Sequence, residues 1–498
     1  MKGKVVLIKP LNDVCSTAIP LGLLHIGTSL EVKGFKVRVI DANKDPNYKV
    51  SLSQELNDAV YVGITCLTTE IKSALEISDY VKATSDVPVV WGGWHPTLFP
   101  EQTCADQAVD YVCIREGDNV AVQLAECLES DRSLEQVDGL AFKKDGRVKV
   151  NSPKGYVDVE KLPVTNYDLV DVEKYNLSAG IEKQRMLPYS SSRGCPHRCA
   201  FCINTVTCNN VWRAKSVGKT VDEIEYLVHK YGLASVGFID DNFFVSKQRV
   251  IGICREMLSR KLDVTWFAES RADYFDHFDE GFLDLCVKSG LRWINIGAES
   301  GSDRILNVLD KDITARQVLK SANMLKKYPI NLTYCFLAGI PHETKEDLDC
   351  TVKLMRRIRK ICPTVKYNVG LLTPYPKCKL TDRLIADGWL KEPSNLREWA
   401  TDATRKLYTD RKAGKPWHTN PSFLAGLSYF SALAYDTLSD REIRLVLKKV
   451  DLIRFPRVLF VFLARLRMKL GFYDVPVERV LNSVSARQFK KHVQEGKY

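Results

Sequence analysis

Three cysteines lie within one short stretch of the chain. Cys195, Cys199 and Cys202 are spaced as Cys-x3-Cys-x2-Cys inside the run SSRGCPHRCAFC. Thiolates at this spacing can each bind a different iron of a cubane iron–sulfur cluster. A four-iron cluster held by three cysteines keeps one iron without a protein ligand, and that iron can bind a substrate or cofactor. The spacing therefore predicts a catalytic cluster rather than an electron-transfer cluster.

The chain has 15 cysteines, so clustering by chance and a structural zinc site are the two alternatives. Chance does not account for Gly194 and Pro196, which are suited to a turn around the first cysteine. A structural zinc site usually takes four ligands from two knuckles, and the sequence has no second Cys-x2-Cys pair. Cys208 is interpreted as a structural thiol, because a fourth ligand would close the open iron.

Two regions alternate β-branched runs with helical periodicity, and together they predict an α/β fold. In the first region the pattern predicts a doubly wound parallel sheet with a ligand crevice at the carboxyl ends of its strands. Its strands are expected at 5–8, 36–40, 61–66, 87–91 and 111–114, and its helices at 21–33, 70–85 and 120–128.

The second region predicts a partial (β/α)6 barrel, in which chemistry takes place at the carboxyl ends of the strands. The cysteine run follows the first of its six strands. These strands are expected at 187–191, 235–240, 264–268, 293–297, 332–337 and 367–372, and four helices at 220–231, 247–259, 315–327 and 345–360.

Four segments follow from these patterns. Residues 1–135 form the first domain, and 136–185 form a linker with a hairpin turning at Asp145-Gly146. Residues 186–380 form the barrel, and 381–498 form a basic, helical C-terminal region. The net charge of the chain is +11, and most of it lies in residues 441–498. This segment has fourteen Lys/Arg and only five Asp/Glu. Residues 1–440 are nearly neutral and lack the basic surface that binds nucleic acid, so no nucleic-acid partner is predicted.

Composition and hydropathy predict a cytoplasmic protein. No apolar run reaches the ~18–20 residues of a membrane span, and the odd number of cysteines suits a reducing compartment. The basic stretch 443–470, interrupted by Pro456, can lie at the inner face of a membrane as an amphipathic helix. Alternatively, it caps the open side of the barrel.

The first region resembles the cobalamin-binding domain, whose signature pieces are Asp-x-His-x-x-Gly, Ser-x-Leu and Gly-Gly. Thr65-Cys66-Leu67 matches the second piece and Gly92-Gly93 the third, and adjacent glycines let a flat ligand approach the backbone. Asn43 stands at the histidine position, so the usual lower ligand to cobalt is missing. A degenerate scaffold without cofactor is the alternative. The resemblance implies cobalamin contacts from Thr65, Leu67, Thr68, Gly92, Gly93 and His95.

Residues 1–380 resemble the radical S-adenosylmethionine (SAM) enzymes, and members with a cobalamin domain are the best match. The resemblance implies a [4Fe-4S] cluster whose open iron binds the amino and carboxylate groups of SAM. An electron from the cluster then cleaves SAM to a 5′-deoxyadenosyl radical. The matching positions are Phe201 near the adenine, Asp240 or Asp241 at the amino group, Ser270 and Arg271 at the ribose or carboxylate, Glu299 at the ribose or amino group, and Gly339 at the end of the fifth strand.

Each position also has a structural alternative. The two aspartates can cap the segment that follows them, Glu299 can pair with Arg271, and Phe201 can belong to the core.

In function, the resemblance implies a cobalamin-dependent methyltransferase that acts on an unactivated carbon or phosphorus centre. Its substrate is expected to be a small molecule or lipid-like, and its electrons to come from a flavodoxin- or ferredoxin-type donor. Two alternatives stay open: a radical SAM cyclase or rearrangement enzyme without methyl transfer, and a non-catalytic cobalamin-binding protein.

Overall fold

The computed structural model describes residues 2–12, 18–130, 132–175, 185–410, 414–418, 421–434, 463–464 and 466–467. The chain divides into two compact units. The first contains residues 1–265 and 374–410, and the second contains 266–373 and 411–498.

The first unit begins with a seven-stranded sheet in the order β2-β1-β3-β4-β5-β6-β7. Strands β1 to β5 are parallel, which confirms the predicted doubly wound sheet. Its elements are β1 (Lys4–Lys9), α1 (Leu21–Val32), β2 (Lys36–Asp41), α2 (Tyr48–Leu56), β3 (Ala59–Thr65), α3 (Ile71–Thr84), β4 (Val89–Gly92), α4 (Trp94–Leu98), α5 (Pro100–Ala105), β5 (Tyr111–Cys113), α6 (Gly117–Ser130), β6 (Leu140–Lys144) and β7 (Arg147–Val150).

The central strand β1 explains why this sheet forms. Val5, Val6 and Ile8 have no exposed surface, as expected of a parallel strand covered on both faces. The strand order reverses between β1 and β3, and such a switch point opens a crevice at the carboxyl ends of the strands.

The hairpin predicted after this sheet is present, but it belongs to the sheet and not to a linker. Strand β6 pairs antiparallel with β5 and with β7. Asp145 and Gly146 have φ values of 50° and 74°, as a type I′ turn requires. The expected domain end at residue 135 therefore lies between two strands of one sheet.

The first unit continues with the segment that carries the three cysteines. Strands β8 and β11 pair in parallel, and the two-residue strands β9 and β10 pair antiparallel. The elements are β8 (Met186–Tyr189), β9 (Ser192–Arg193), α7 (Asn204–Thr207), β10 (Arg213–Ala214), α8 (Val217–Tyr231), β11 (Ser235–Phe238) and α9 (Lys247–Ser259).

The second unit begins within β12 and contains four parallel strands in the order β12-β13-β14-β15. All six strands expected between 187 and 372 are present, with ends shifted by a few residues at most. The elements are β12 (Thr265–Arg271), α10 (Glu280–Lys288), β13 (Leu291–Glu299), α11 (Asp303–Val308), α12 (Ala315–Leu325), β14 (Asn331–Ala338), α13 (Lys345–Ile361) and β15 (Lys366–Leu371).

The chain then returns to the first unit with α14 (Lys379–Ala386), α15 (Leu396–Trp399) and α16 (Asp402–Tyr408). Helix α17 (Pro421–Ala434) belongs to the second unit, where Ser428 Oγ donates to the Val369 carbonyl of β15 over 2.8 Å. The basic helix expected at 443–470 lies almost entirely outside the described residues. No helix in the described part of the chain is long and apolar enough to cross a membrane.

Candidate functional site

The loop after β8, which we call the cluster loop (residues 190–203), carries the three cysteines. Gly194 has φ +82°, and a Cβ there would collide with the Val211 carbonyl, so this turn requires glycine. The amide of Cys202 donates to the Cys199 carbonyl over 3.1 Å. Burial, with smaller contributions from the Cys199 and Cys195 thiols, raises the pKa of Cys202 to about 12.

This donor set fits an iron–sulfur cluster. Thiolates are soft ligands that suit iron–sulfur chemistry. In the described residues, no three His, Cys, Asp or Glu side chains are grouped as ligands of one metal ion. A cubane cluster does not require ligands grouped around a single ion. Each of its cysteines binds a different iron, so the three sulfurs need not surround one point.

Asp240, which follows β11, holds the start of the cluster loop. Its Oδ1 accepts from the Ser191 amide at 2.6 Å, and its Oδ2 accepts from the hydroxyls of Ser191 and Ser192 at 2.5 and 2.7 Å. Burial raises the pKa of Asp240, while the hydrogen bonds from both serines lower it. Asp240 thus positions the loop through both oxygens, and its expected contact with the SAM amino group stays a prediction.

Asp241 is the more accessible carboxylate of the pair. Its side chain accepts from the Gly194 amide at 2.8 Å and from Asn204 Nδ2 at 2.7 Å. The residue is exposed, whereas Asp240 is buried. Asp241 therefore stays the candidate that can both support the cluster loop and meet a bound molecule.

Arg249 on α9 is a support that the sequence did not reveal. Its guanidinium donates to the carbonyls of Ser191 and Lys215 at 3.1 and 2.8 Å, and to Thr220 Oγ1 at 3.0 Å. A half-buried cation that interacts with Asp240 thus holds the backbone from which the cluster loop begins.

In the second unit, the ends of β12 and β13 form a buried charged cluster. Arg271 donates to Asp273 Oδ1 at 2.9 Å and to the Lys311 carbonyl at 2.6 Å. Glu299, at φ +56°, accepts from Lys311 Nζ at 2.8 Å. Ser270 donates to the Arg271 carbonyl at 3.1 Å. The cluster brings Arg271 and Glu299 together around Lys311, a residue that the sequence analysis missed.

Gly339 forms a turn that a later segment covers. Its φ is +75°, its amide donates to Glu343 Oε2 at 2.7 Å, and its carbonyl accepts from Trp417 Nε1 at 2.9 Å. A Cβ at this position would lie 2.6 Å from the His418 ring. Gly339 therefore lies in a packed turn, and the cofactor contact expected there stays a prediction. Phe201 is half-buried within the cluster loop.

A cavity of about 350 Å³ lies at the carboxyl ends of the strands of the first sheet. Thr65, Leu67, Gly92 and Gly93 line it, as the sequence analysis expected of a cobalamin site. Gly93 has φ +97°, and a Cβ there would press on the backbone of Cys66. A Cβ on Gly92 would have no protein atom nearer than 3.7 Å. The glycine-lined wall fits a large flat ligand.

Two expected cavity residues lie elsewhere. His95 is completely buried, with ring centroids 5.1 Å from those of both Phe99 and Trp399, and Thr68 Oγ1 is 3.3 Å from its Nδ1. Burial lowers the pKa of His95 to about 3. Neither His95 nor Thr68 lines the cavity. Trp94 and Thr97 of helix α4 do line it, whereas His95 between them belongs to the core.

Asn43, at the position of the missing lower-ligand histidine, is also engaged in the protein. Its Nδ2 donates to the Pro10 carbonyl and to Asp41 Oδ1, both at 2.9 Å, and its Oδ1 accepts from the Asn12 amide at 2.8 Å. Asn43 therefore serves to tie loops together at this end of the sheet.

The cavity also reaches the cluster loop through residues of the first unit. Asn204, Cys208 and Asp241 line it, as does Arg193, which directly precedes Gly194. Cys208 is thus a lining residue at the cavity and close to Gly194. The cavity and the cysteines share one compact unit.

An ion pair that the sequence analysis missed joins these two features. Arg193 donates to both carboxylate oxygens of Asp118, at 2.7 and 3.0 Å, and to His25 Nδ1 at 3.0 Å. Glu116 accepts from Arg213 at 2.9 Å on each oxygen. Residues 115–118 follow β5, so the rule that ligands bind at strand ends could have identified them.

Comparisons with known proteins agree with both features. Residues 8–125 match the B12 binding domain family, and residues 189–355 match the radical SAM superfamily. An uncharacterized methyltransferase of Pyrococcus horikoshii is 29% identical over 420 residues, which cover 81% of this chain and 88% of the relative. The anaerobic magnesium-protoporphyrin IX monomethyl ester cyclase of Rubrivivax gelatinosus is 27% identical over 65% of this chain and 58% of its own length.

A solved structure is similar over most of the fold. The radical SAM methyltransferase TsrM from Kitasatospora setae, with tryptophan substrate and a SAM analogue bound, aligns with a TM-score of 0.68. The alignment covers 89% of this chain and 90% of that chain at 18% identity, so it supports the fold alone. With a cysteine triplet after the first barrel strand and a glycine-lined cavity in the preceding sheet, the chain carries a B12 binding domain followed by a radical SAM domain.

Proposed function

We propose that the protein is a cobalamin-dependent radical SAM methyltransferase. Its acceptor is an unactivated carbon or phosphorus centre of a small-molecule or lipid-like substrate. The observation that carries this proposal is the cavity, whose wall includes both the glycines of the first sheet and residues at the cluster loop. The cavity and the three cysteines both belong to the first unit.

The residues of the chain have separate tasks in this proposal. Cys195, Cys199 and Cys202 hold the cluster, which supplies the electron for SAM cleavage, while cobalamin carries the methyl group. Asp240 fixes the loop, and Asp241 is the proposed acceptor for the amino group of SAM. Each cofactor provides the reactive chemistry, and the protein provides binding, orientation and electrostatics.

The buried charged cluster at the ends of β12 and β13 contains both positive and negative side chains. We assign Arg271 to the SAM carboxylate, since a guanidinium can donate to both oxygens of such a group. Glu299 is assigned to the ribose. In the structure Lys311 holds both residues in place, through its ammonium and its carbonyl oxygen.

A radical cyclase is the second candidate function. The observation that favours it is the similarity to the Rubrivivax gelatinosus cyclase over 65% of this chain. Both candidates need the cluster and SAM, but only methyl transfer consumes a second SAM as a methyl donor. The two reactions therefore differ in their products from SAM.

The distinguishing experiment uses SAM with a trideuterated methyl group. Full-length protein, reconstituted anaerobically with iron, sulfide and cobalamin, is incubated with this SAM and a chemical reductant. We expect S-adenosylhomocysteine in the products and the deuterated methyl group in the extracted cobalamin, both by mass spectrometry. Formation of 5′-deoxyadenosine without any S-adenosylhomocysteine would contradict methyl transfer and favour the cyclase.

A further inference from the structure

His25 on α1 lies where the cavity meets the cluster loop. It is half-buried and lines both the main cavity and a smaller pocket that also includes Ser192 and Lys215. It is the histidine that the structure places in the main cavity wall, although no sequence motif marks it.

The contact with Arg193 fixes which ring nitrogen of His25 carries the proton. Arg193 Nη2 lies 3.0 Å from His25 Nδ1. A guanidinium only donates hydrogen bonds and stays charged, so Nδ1 must be the acceptor. The proton of the neutral imidazole is therefore on Nε2.

Arg193 itself has little freedom to change this arrangement. Both oxygens of Asp118 accept from its guanidinium, in the two-bond geometry that orients an arginine most strongly. Burial, together with the positive charge of Arg193, lowers the pKa of His25 to about 3. The imidazole is thus neutral around pH 7, and a single tautomer is selected.

The other ring nitrogen, Nε2, remains available to a bound molecule. Among the described residues, His25 Nε2 has no protein partner, and it is not sealed from solvent. An N–H group at the wall of a cavity can donate to a bound molecule. It offers no lone pair to a metal.

We infer that His25 donates a hydrogen bond from Nε2 to an oxygen of the bound corrinoid and is not an axial ligand to cobalt. Ligation would need the lone pair of Nε2, and the proton would then move to Nδ1, opposite the N–H of Arg193. This inference rests on the proposed function. Corrinoids offer two kinds of oxygen acceptor, the amide carbonyls around the ring and the phosphate of the nucleotide tail.

Equilibrium binding of corrinoids tests whether His25 donates this hydrogen bond. Wild-type protein and the variants His25→Ala, His25→Gln and His229→Gln are titrated with cobalamin and with cobinamide, which lacks the nucleotide tail and its phosphate. His229 is an exposed residue of α8 and serves as the matched control. Loss of one hydrogen bond should weaken binding by H25A about five- to tenfold. H25Q, which keeps an N–H donor, should recover part of the loss, and H229Q should match wild type.

The two corrinoids identify the acceptor. An equal loss with cobinamide assigns the bond to a ring amide, and a loss confined to cobalamin assigns it to the phosphate. H25A binding both corrinoids as tightly as wild type would overturn the inference while the proposed function stands. Wild-type protein that binds neither corrinoid would overturn both.

Electron paramagnetic resonance tests the statement about the metal. Cob(II)inamide has no base of its own, so any axial nitrogen seen in its spectrum comes from the protein. We expect identical spectra for protein with natural histidine and with ¹⁵N-labelled histidine. A superhyperfine splitting that changes with the label and is absent in H25A would show His25 to be an axial ligand and would contradict the inference.

Discussion

Arg193 is the residue through which the two cofactor regions of the first unit meet. Burial opposes ionisation of Asp118, but the adjacent charge of Arg193 holds the pKa of Asp118 below its usual value. Removing one member of such a buried pair leaves an uncompensated charge, which is far more costly than the pair is stabilising. The ion pair with Asp118 thus fixes Arg193, which directly precedes the turn at Gly194. Through Arg193 it also fixes the ring of His25.

Cysteine substitutions separate cluster ligands from the nearby thiol. Cys199→Ala removes one of three iron ligands, so bound iron should fall to less than half of the wild-type content and SAM cleavage should become undetectable. Iron analysis and chromatography of 5′-deoxyadenosine measure the two effects. Cys208→Ala is the control, because Cys208 lines the cavity instead. A loss of iron in C208A equal to that in C199A would contradict the three-cysteine assignment.

At this scale the sequence predicted residues whose role depends on local spacing. The cysteine triplet and the lining residues Thr65 and Gly92 belong to that group. The roles of Asp240 and His95 depend on which way a side chain turns within its loop or helix, and the sequence does not encode this locally. Lys311 and His25 act through partners distant in sequence, so periodicity could not identify them.

Among the elements, the cluster loop depends on its backbone more than on its side chains. The turn at Gly194 has a left-handed conformation that costs an L-residue about 1–2 kcal/mol, and a Cβ would also collide with Val211. Strand β9, which lies within the loop, and its partner β10 have only two residues each, so their pairing adds few hydrogen bonds.

Gly194→Ala should therefore disrupt the cluster while leaving most of the fold intact. We expect less than a tenth of the wild-type cluster absorbance after reconstitution, with an unchanged far-ultraviolet circular dichroism spectrum. Gly218→Ala on α8 is the matched control, because a Cβ there meets no atom within 4 Å. Full cluster content in G194A would show that the loop tolerates the side chain and would refute this account of the turn.

Helix α13 provides a test of pH dependence in the second unit. Burial raises the pKa of Asp347, but hydrogen bonds from Arg304, Ser302 and Thr344 outweigh it and hold the pKa well below its usual value. The ionised form is thus favoured by folding. The stabilisation from Asp347 is present at neutral pH and is lost as the pH falls below about 4.

Asp347→Asn should lower the free energy of unfolding at pH 7 by about 1 kcal/mol. The difference from wild type should shrink as the pH is lowered through 4 toward the folded-state pKa. Urea denaturation followed by circular dichroism at several pH values measures this. A difference that grows on acidification would contradict the sign of the shift.

The helices and strands were easier to predict from the sequence than the roles of single residues. Strands of both regions have continuous or alternating apolar patterns, and their existence is confirmed. The short helices α2, α4 and α5 were missed, since five to nine residues carry little periodicity. The hairpin was predicted from its turn, but its pairing with β5 is a tertiary contact that turn residues do not specify.

At the scale of the whole molecule, the first unit is completed by a segment far along the chain. Trp399 on α15 is buried against His95 and Phe99, with ring centroids 5.1 and 5.2 Å away. Its Nε1 donates to Gln102 Oε1 at 2.8 Å. Arg397 adds ion pairs to Asp79 and Asp106. Residues after the barrel region thus stabilise the sheet that carries the cavity.

Trp399→Ala should destabilise this unit by about 3–5 kcal/mol, because it empties a large buried volume. Thermal unfolding should show a lower first transition, and cobalamin binding should weaken at temperatures below it. Trp399→Phe keeps an aromatic ring, so it should lower the stability markedly less than Trp399→Ala. Equal behaviour of W399A and wild type in both measurements would show that the segment is dispensable for the first unit.

A spectroscopic experiment can decide whether the cysteine loop holds a catalytic cluster with an open iron. Anaerobically reconstituted wild-type protein is reduced and examined by electron paramagnetic resonance before and after addition of SAM, with iron determined on the same sample. We expect about four irons per chain and a cluster signal that shifts when SAM binds. A signal unchanged by SAM, or a single zinc ion in place of iron, would contradict it.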